Sequence, residues 1–96
     1  MTGSYVGKGR GGKLLRVDLY WQDGRAERVS IRGDFFAHPE DGFDAAEDGL
    51  AGVPLTELGQ VFGRQLEARG VTLFGLLPSD LDDAVESIVS SAIKQG

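Results

Sequence analysis

Residues 14–32 read LLRVDLYWQDGRAERVSIR, and the alternation in this stretch decides the fold. Leu15, Val17, Leu19 and Trp21 fall on one side of an extended chain; Leu14, Arg16, Asp18 and Tyr20 fall on the other. That is the period of a β-strand with one buried face. Asp23-Gly24 is a hairpin turn signal. A second strand follows, with Val29, Ile31 and Phe35 inward and Arg28, Ser30 and Arg32 outward. A two-residue turn that pairs Gln22 with Arg25 sets Val17 opposite Ser30 and Leu19 opposite Arg28, apolar against polar. Shifting by one, with Gln22 opposite Ala26, sets Val17 against Ile31 and Leu19 against Val29. A one-residue slip flips a whole strand, so the faces choose the second register. The pattern predicts a three-residue loop, Asp23-Gly24-Arg25, accompanied by a bulge.

Working outward, residues 1–12 read as tail or loop, because Gly7, Gly9, Gly11 and Gly12 make this the most flexible stretch. On the other side, Pro39-Glu40-Asp41 starts a helix, with proline in the first turn and acids at the positive end of the dipole. Phe43, Ala46 and Leu50 recur at helical spacing, and Gly52 and Pro54 end the run. Thr56 is positioned to cap a second helix with Leu58, Phe62 and Leu66 in one stripe, ended by Gly70. Val71–Leu77 is a short apolar run, a third strand or a buried connector, between which periodicity does not choose. After Pro78, Ser79 is placed to cap a last helix whose inner stripe is Leu81, Val85, Ile88 and Ala92. Strands followed by helices imply an α+β layer, a small antiparallel sheet with about three helices packed on one face.

The whole chain of 96 residues is one domain's worth, and 41% hydrophobic with 26% charged residues is ordinary for a globular protein. A core this modest leaves no room for a deep enclosed active site, which favours a binding or accessory module. There is no cysteine, so disulfides, thiolate metal sites and thiol nucleophiles are excluded. That suits the cytoplasm. No stretch reads as a secretory signal or a membrane span, so the expected location is cytoplasmic.

Charge is divided unevenly. Residues 1–33 carry seven basic and three acidic groups, +4; residues 34–96 carry three basic and twelve acidic groups, −9. The positive end suits a phosphate or an acidic protein, while the negative remainder argues against nucleic acid as a partner.

The glycines fit two phosphate-loop patterns in spacing only. Gly7 to Gly12 matches GxGxxG, and Gly7 to Lys13 matches GxxxxGK. A phosphate loop follows a strand and opens a helix, whereas these glycines precede a strand, and Leu14 stands where a magnesium-binding hydroxyl belongs. Neither is a nucleotide fingerprint. Lys8 and Arg10 remain candidate anion contacts, with Lys13 beside them. His38, the single histidine, has Asp34, Glu40 and Asp41 near it in sequence, a grouping common around helix starts, and no metal site is assigned. Asp80, Asp82, Asp83 and Glu86 are explained by the dipole of the last helix. No catalytic constellation is legible. Phe35-Phe36 sends one ring inward and the other outward, so Phe36 lies under the following chain or is an exposed anchor.

Two segments carry a resemblance. Gly11-Gly12-Lys13-Leu14-Leu15-Arg16-Val17 opens the first strand of the hairpin, and Gly33-Asp34-Phe35-Phe36-Ala37-His38-Pro39-Glu40-Asp41 follows the second. Together, and continuing through Leu50-Ala51-Gly52-Val53-Pro54-Leu55 to the closing helix, they resemble the C-terminal accessory domain of lipoate–protein ligases, over about residues 5–92. The glycine-rich start departs from the shorter lead-in of that family. The resemblance implies a fold similar to the iron–sulfur scaffold proteins, without their cysteine chemistry. It implies a domain over 1–96, with 1–12 a flexible basic segment and 13–94 the accessory domain proper. It also implies a stand-alone, non-catalytic small subunit of a two-part ligase. A separate catalytic subunit would bind ATP, Mg and lipoate, form lipoyl-AMP and pass the lipoyl group to a carrier protein. No cofactor is expected on this chain alone. The expected partner-facing residues are Lys13, Arg16, Gly33, Asp34, Phe35 and Phe36. The alternatives are a binding module of the same fold serving another acyl or carrier-protein transfer system, or an independent small enzyme.

Overall fold

The computed structural model describes residues 1–10 and 12–95; Gly11, part of the glycine segment, and Gly96 lie outside the described residues. The elements are β1 (Thr2–Lys8), β2 (Leu14–Gln22), β3 (Arg25–Gly33), β4 (Phe36–His38), α1 (Glu40–Asp48), a 3-10 turn (Leu55–Glu57), α2 (Leu58–Ala68), β5 (Thr72–Phe74) and α3 (Pro78–Gln95). One antiparallel sheet has the order β1-β2-β3, and β4 and β5 form a second, two-stranded sheet. The architecture is α+β, as expected, with three helices.

The hairpin pairs Val17 with Ile31 and Leu19 with Val29, the register that the matching of faces requires. The loop differs from expectation. Gln22 pairs with Arg25, so the turn is the two residues Asp23-Gly24. Both have positive φ, 53° and 76°, the signature of the type I′ turn that suits strand twist. The extra residue is absorbed one step later: Trp21 faces Ala26 while Tyr20 faces Arg28, leaving Glu27 bulged.

The expected tail is corrected over Thr2–Lys8, which forms the third strand of the sheet and pairs along its length with Leu14–Tyr20. Its inward positions are Gly3, Tyr5 and Gly7. Glycine there serves close packing. A Cβ on Gly3 would lie 2.6 Å from Cγ2 of Ile88, so β1 lies against α3 only because that side chain is absent. Val71–Leu77 holds a strand, β5, but it pairs with β4 in the second sheet: Phe36 with Phe74, Ala37 with Leu73 and His38 with Thr72. The hairpin strand does not run on through Phe35. It stops at Gly33, where any side chain would strike the carbonyl of Leu14, and the Asp34 N–H donates to that carbonyl at 3.0 Å.

The core joins Leu15, Val17, Leu19 and Trp21 of β2 and Val29 and Ile31 of β3 to Phe43, Phe62, Leu81 and Ile88 of the helices. Apolar burial of this kind is the main stabilising term. The free edge of β3 is closed by its own chain. Glu47, buried on α1, accepts the Ile31 N–H at 2.7 Å and pairs with Arg32 at 2.9 Å. Ala26 donates to Val53 and accepts from Gly52.

The acids of α3 do more than face its dipole. Thr56 is not the cap of α2; it lies inside the 3-10 turn. Asp82 of α3 instead accepts the Gly59 N–H at 2.8 Å, satisfying an otherwise unpaired donor in the first turn of α2. Asp80 is 2% exposed. Its carboxylate accepts the N–H of Leu77 at 2.9 Å and of Arg10 at 3.0 Å, fastening the β1–β2 connection to the start of α3. Replacing Asp80 by alanine orphans both donors. The expected loss is about 1–3 kcal/mol, at roughly 0.5–1.5 kcal/mol for each of the two partly buried hydrogen bonds, read as a lowered urea midpoint with unchanged m-value.

Candidate functional site

The end of the sheet where β2 begins and β3 ends opens into a depression of about 580 Å³. Lys8, the last residue of β1, and Leu14, the first of β2, form its closing rung. Lys13, Gly33, Asp34, Phe35 and Phe36 complete it, with Gly12 between the two lysines in sequence. Five of the six residues read from the sequence as partner-facing therefore converge. Arg16, the sixth, stands one rung along on the same face, opposite Arg32. Its guanidinium bonds Asp18 at 3.1 Å, on the side away from Leu14.

The two phenylalanines divide as alternation requires. Phe35 is half-buried, its ring 5.4 Å from that of Phe43. Phe36 is 76% exposed, so the ring does not lie under the chain leading to α1. Its cross-strand partner Phe74 is 60% exposed. Two exposed phenylalanines at directly paired strand positions put apolar surface on one face of the small sheet, the kind of surface that marks a protein contact. Leu14 and Leu77 add further exposed apolar surface. The sequence reading missed Phe74. The alternation within Thr72-Leu73-Phe74 carried that signal, but the neighbouring apolar residues masked it.

The charges around this edge follow from local pairing. Hydrogen bonds from Arg16 and then Ser4 hold the Asp18 carboxyl below the usual carboxylate range, and the same contact raises Arg16. Both stay charged at neutral pH. Arg10, a candidate anion contact, pairs with Asp83 at 3.1 Å, and its N–H is bound by Asp80. Lys8 and Lys13 have no ion-pair partner among the described residues. His38 is exposed on β4, and no three acidic or histidine side chains converge to hold a metal among the described residues. Every buried side-chain nitrogen or oxygen described has a hydrogen-bond partner. The buried carboxylates Glu47 and Asp80 are thus occupied in joining elements of the fold. The edge thus sets two exposed phenylalanines beside two ammonium groups that have no ion-pair partner among the described residues.

Comparison with known proteins places this geometry in context. No family model matches the chain. Over 75 residues it is 33% identical to "Lipoate-protein ligase A subunit 2" of Thermoplasma acidophilum, covering 78% of this chain and 79% of the relative. It superposes with a TM-score of 0.69 and 29% identity on a solved chain from the same organism, covering 88% of this chain and 97% of that one. That structure is described as a bi-partite lipoate protein ligase and its E2 lipoyl domain, from an archaeal lipoylation system. No helix among the described residues is long and apolar enough to cross a membrane.

Proposed function

The chain belongs to the family of lipoate–protein ligase A subunit 2, and from that premise we propose that it is the accessory subunit of a two-part lipoate–protein ligase. It joins a separate catalytic subunit and supports adenylation, the first half-reaction. ATP, Mg and lipoate are held by the catalytic subunit, which then passes the lipoyl group to a carrier protein. The work is cytoplasmic and involves neither membrane nor nucleic acid.

The observation that carries this reading is the pair Phe36 and Phe74, exposed at paired positions of β4 and β5, Phe36 ending the Gly33–Phe36 segment on which the resemblance was read. Lys13, Arg16, Gly33, Asp34, Phe35 and Phe36 form the partner-facing edge, and Phe74 extends it. Burying two aromatic rings against the catalytic subunit supplies the anchor of the interface. The polar groups around them fix orientation. The chemical benefit is the exclusion of water. Lipoyl-AMP is a mixed anhydride, and a second body over the site slows its hydrolysis and orders the groups that form it.

Mixing the purified chain with a lipoate-ligase catalytic subunit that lacks this domain tests the proposal. The two should run as one species, and lipoyl-AMP should form from ATP and lipoate only in the mixture. No gain on mixing would point instead to a module serving another transfer system.

A further inference from the structure

Around the docking edge the cations divide by type. Arg10 is paired with Asp83, Arg16 with Asp18 and Arg32 with Glu47, so three guanidiniums are held by carboxylates of the same chain. Lys8 and Lys13, two of the chain's three lysines, line one depression and have no such partner among the described residues. Lys13 is located by its stem. Its Cγ lies over Gly75, close enough that a Cβ added there would sit 3.1 Å away. Beside it Gly12 has φ +78° and nothing within 4 Å of where its Cβ would be, so the space next to the lysine is open to an incoming group. Phe36, 76% exposed, stands at the same depression.

A partner that covers Phe36 covers these lysines too. An ammonium removed from water needs a counter-charge; Asp34 is the one carboxylate lining the depression, it forms no ion pair with either lysine, and one carboxylate does not balance two ammonium groups. A single carboxylate is matched best by the planar fork of arginine, whereas two flexible ammonium groups on one depression suit a polyanion with several oxygens. We propose that Lys8 and Lys13 reach the triphosphate of the ATP bound by the catalytic subunit and hold the pyrophosphate end as it leaves. The proposal rests on the adenylation reading above. In that step a lipoate carboxylate oxygen bonds the α-phosphorus of ATP. The bond from that phosphorus to the oxygen bridging to the β-phosphorus breaks, giving lipoyl-AMP and pyrophosphate. Charge builds on the departing pyrophosphate, where two ammonium groups stabilise it.

The test uses the assembled pair with the wild-type chain, Lys8→Ala, Lys13→Ala, the double variant and the two Lys→Arg variants. Subunit affinity is measured by calorimetry. ATP KM, lipoate KM and kcat are measured from lipoyl-AMP formation, and reversal from ATP–pyrophosphate exchange. The double alanine variant is assayed with the partner subunit saturating, because Lys13 lies on the partner-facing edge and its loss weakens assembly. It should show ATP KM raised, or exchange slowed, about tenfold or more, the size expected for lost charge-assisted hydrogen bonds. Lipoate KM should stay within about twofold, and the arginine variants should recover most of the loss. Unchanged ATP kinetics overturn the proposal. So does a loss confined to subunit affinity, which would assign the lysines to carboxylates of the partner. A wild-type mixture that makes no lipoyl-AMP overturns the adenylation reading, and this proposal with it. Failure of the variants alone leaves that reading standing.

Discussion

Replacing Phe36 and Phe74 together by alanine is expected to separate the chain from its catalytic subunit while leaving the fold intact. Each ring is more than half exposed, so its removal opens no cavity in the core. Surface changes of this kind usually move stability by less than about 0.5 kcal/mol, and the lost cross-strand contact adds roughly 0.2–1 kcal/mol. The melting temperature should therefore fall by only a few degrees. On the proposed interface the same rings are the anchors, and truncating an interface anchor costs about 2 kcal/mol or more. That is about 30-fold in affinity for each, and up to about a thousandfold for the pair if the effects add. Calorimetry or light scattering on the mixed subunits reads this directly. An affinity within threefold of wild type would place the interface elsewhere.

The second large effect concerns the core beneath that edge. Phe62 is fully buried on α2 and meets Phe43 edge-on, ring centres 5.8 Å apart at 81°. Phe43 in turn meets Phe35 at 5.4 Å, and Phe35 precedes the exposed Phe36. A line of aromatic contacts thus runs from the middle of the helical layer to the docking edge. Phe62→Ala removes its inner end. The expected loss is about 3–5 kcal/mol, against roughly 5–14 kcal/mol in total for a chain of this length. The urea midpoint should drop accordingly, with a melting temperature lower by roughly 15–30 °C. Phe62→Leu, which keeps most of the volume, should cost much less. A loss below about 1 kcal/mol for the alanine variant would mean that the helices do not pack through this ring.

What was legible in the sequence depended on how local its cause is. The pairing of Val17 with Ile31 and Leu19 with Val29 was legible because a period of two fixes the buried face. Where the extra residue goes was not, since a longer loop and a bulge at Glu27 shift the register equally. The strand over Thr2–Lys8 was hidden by its own packing. Two of its inward positions, where apolar side chains would announce a strand, are glycine: at Gly3 Ile88 of α3 comes too close for anything larger, and at Gly7 the Tyr5 ring fills the space. Asp80, Asp82 and Asp83 read as dipole charges. Their bonds to Arg10 and Gly59 span 70, 23 and 73 residues, distances over which a local pattern is silent.

The docking edge divides in the same way. Gly33–Phe36 was readable as a unit, and the structure joins it to Lys13. Phe74 was not, because its partnership with Phe36 exists only once β4 and β5 pair across the fold.

The most direct test is to titrate this chain into a fixed amount of catalytic subunit and measure lipoyl-AMP. Product should be absent without the chain, rise in proportion to it and level off at one equivalent. Full-rate product without it, or turnover by this chain alone, would contradict a protein that acts by lending a surface to chemistry performed in another polypeptide.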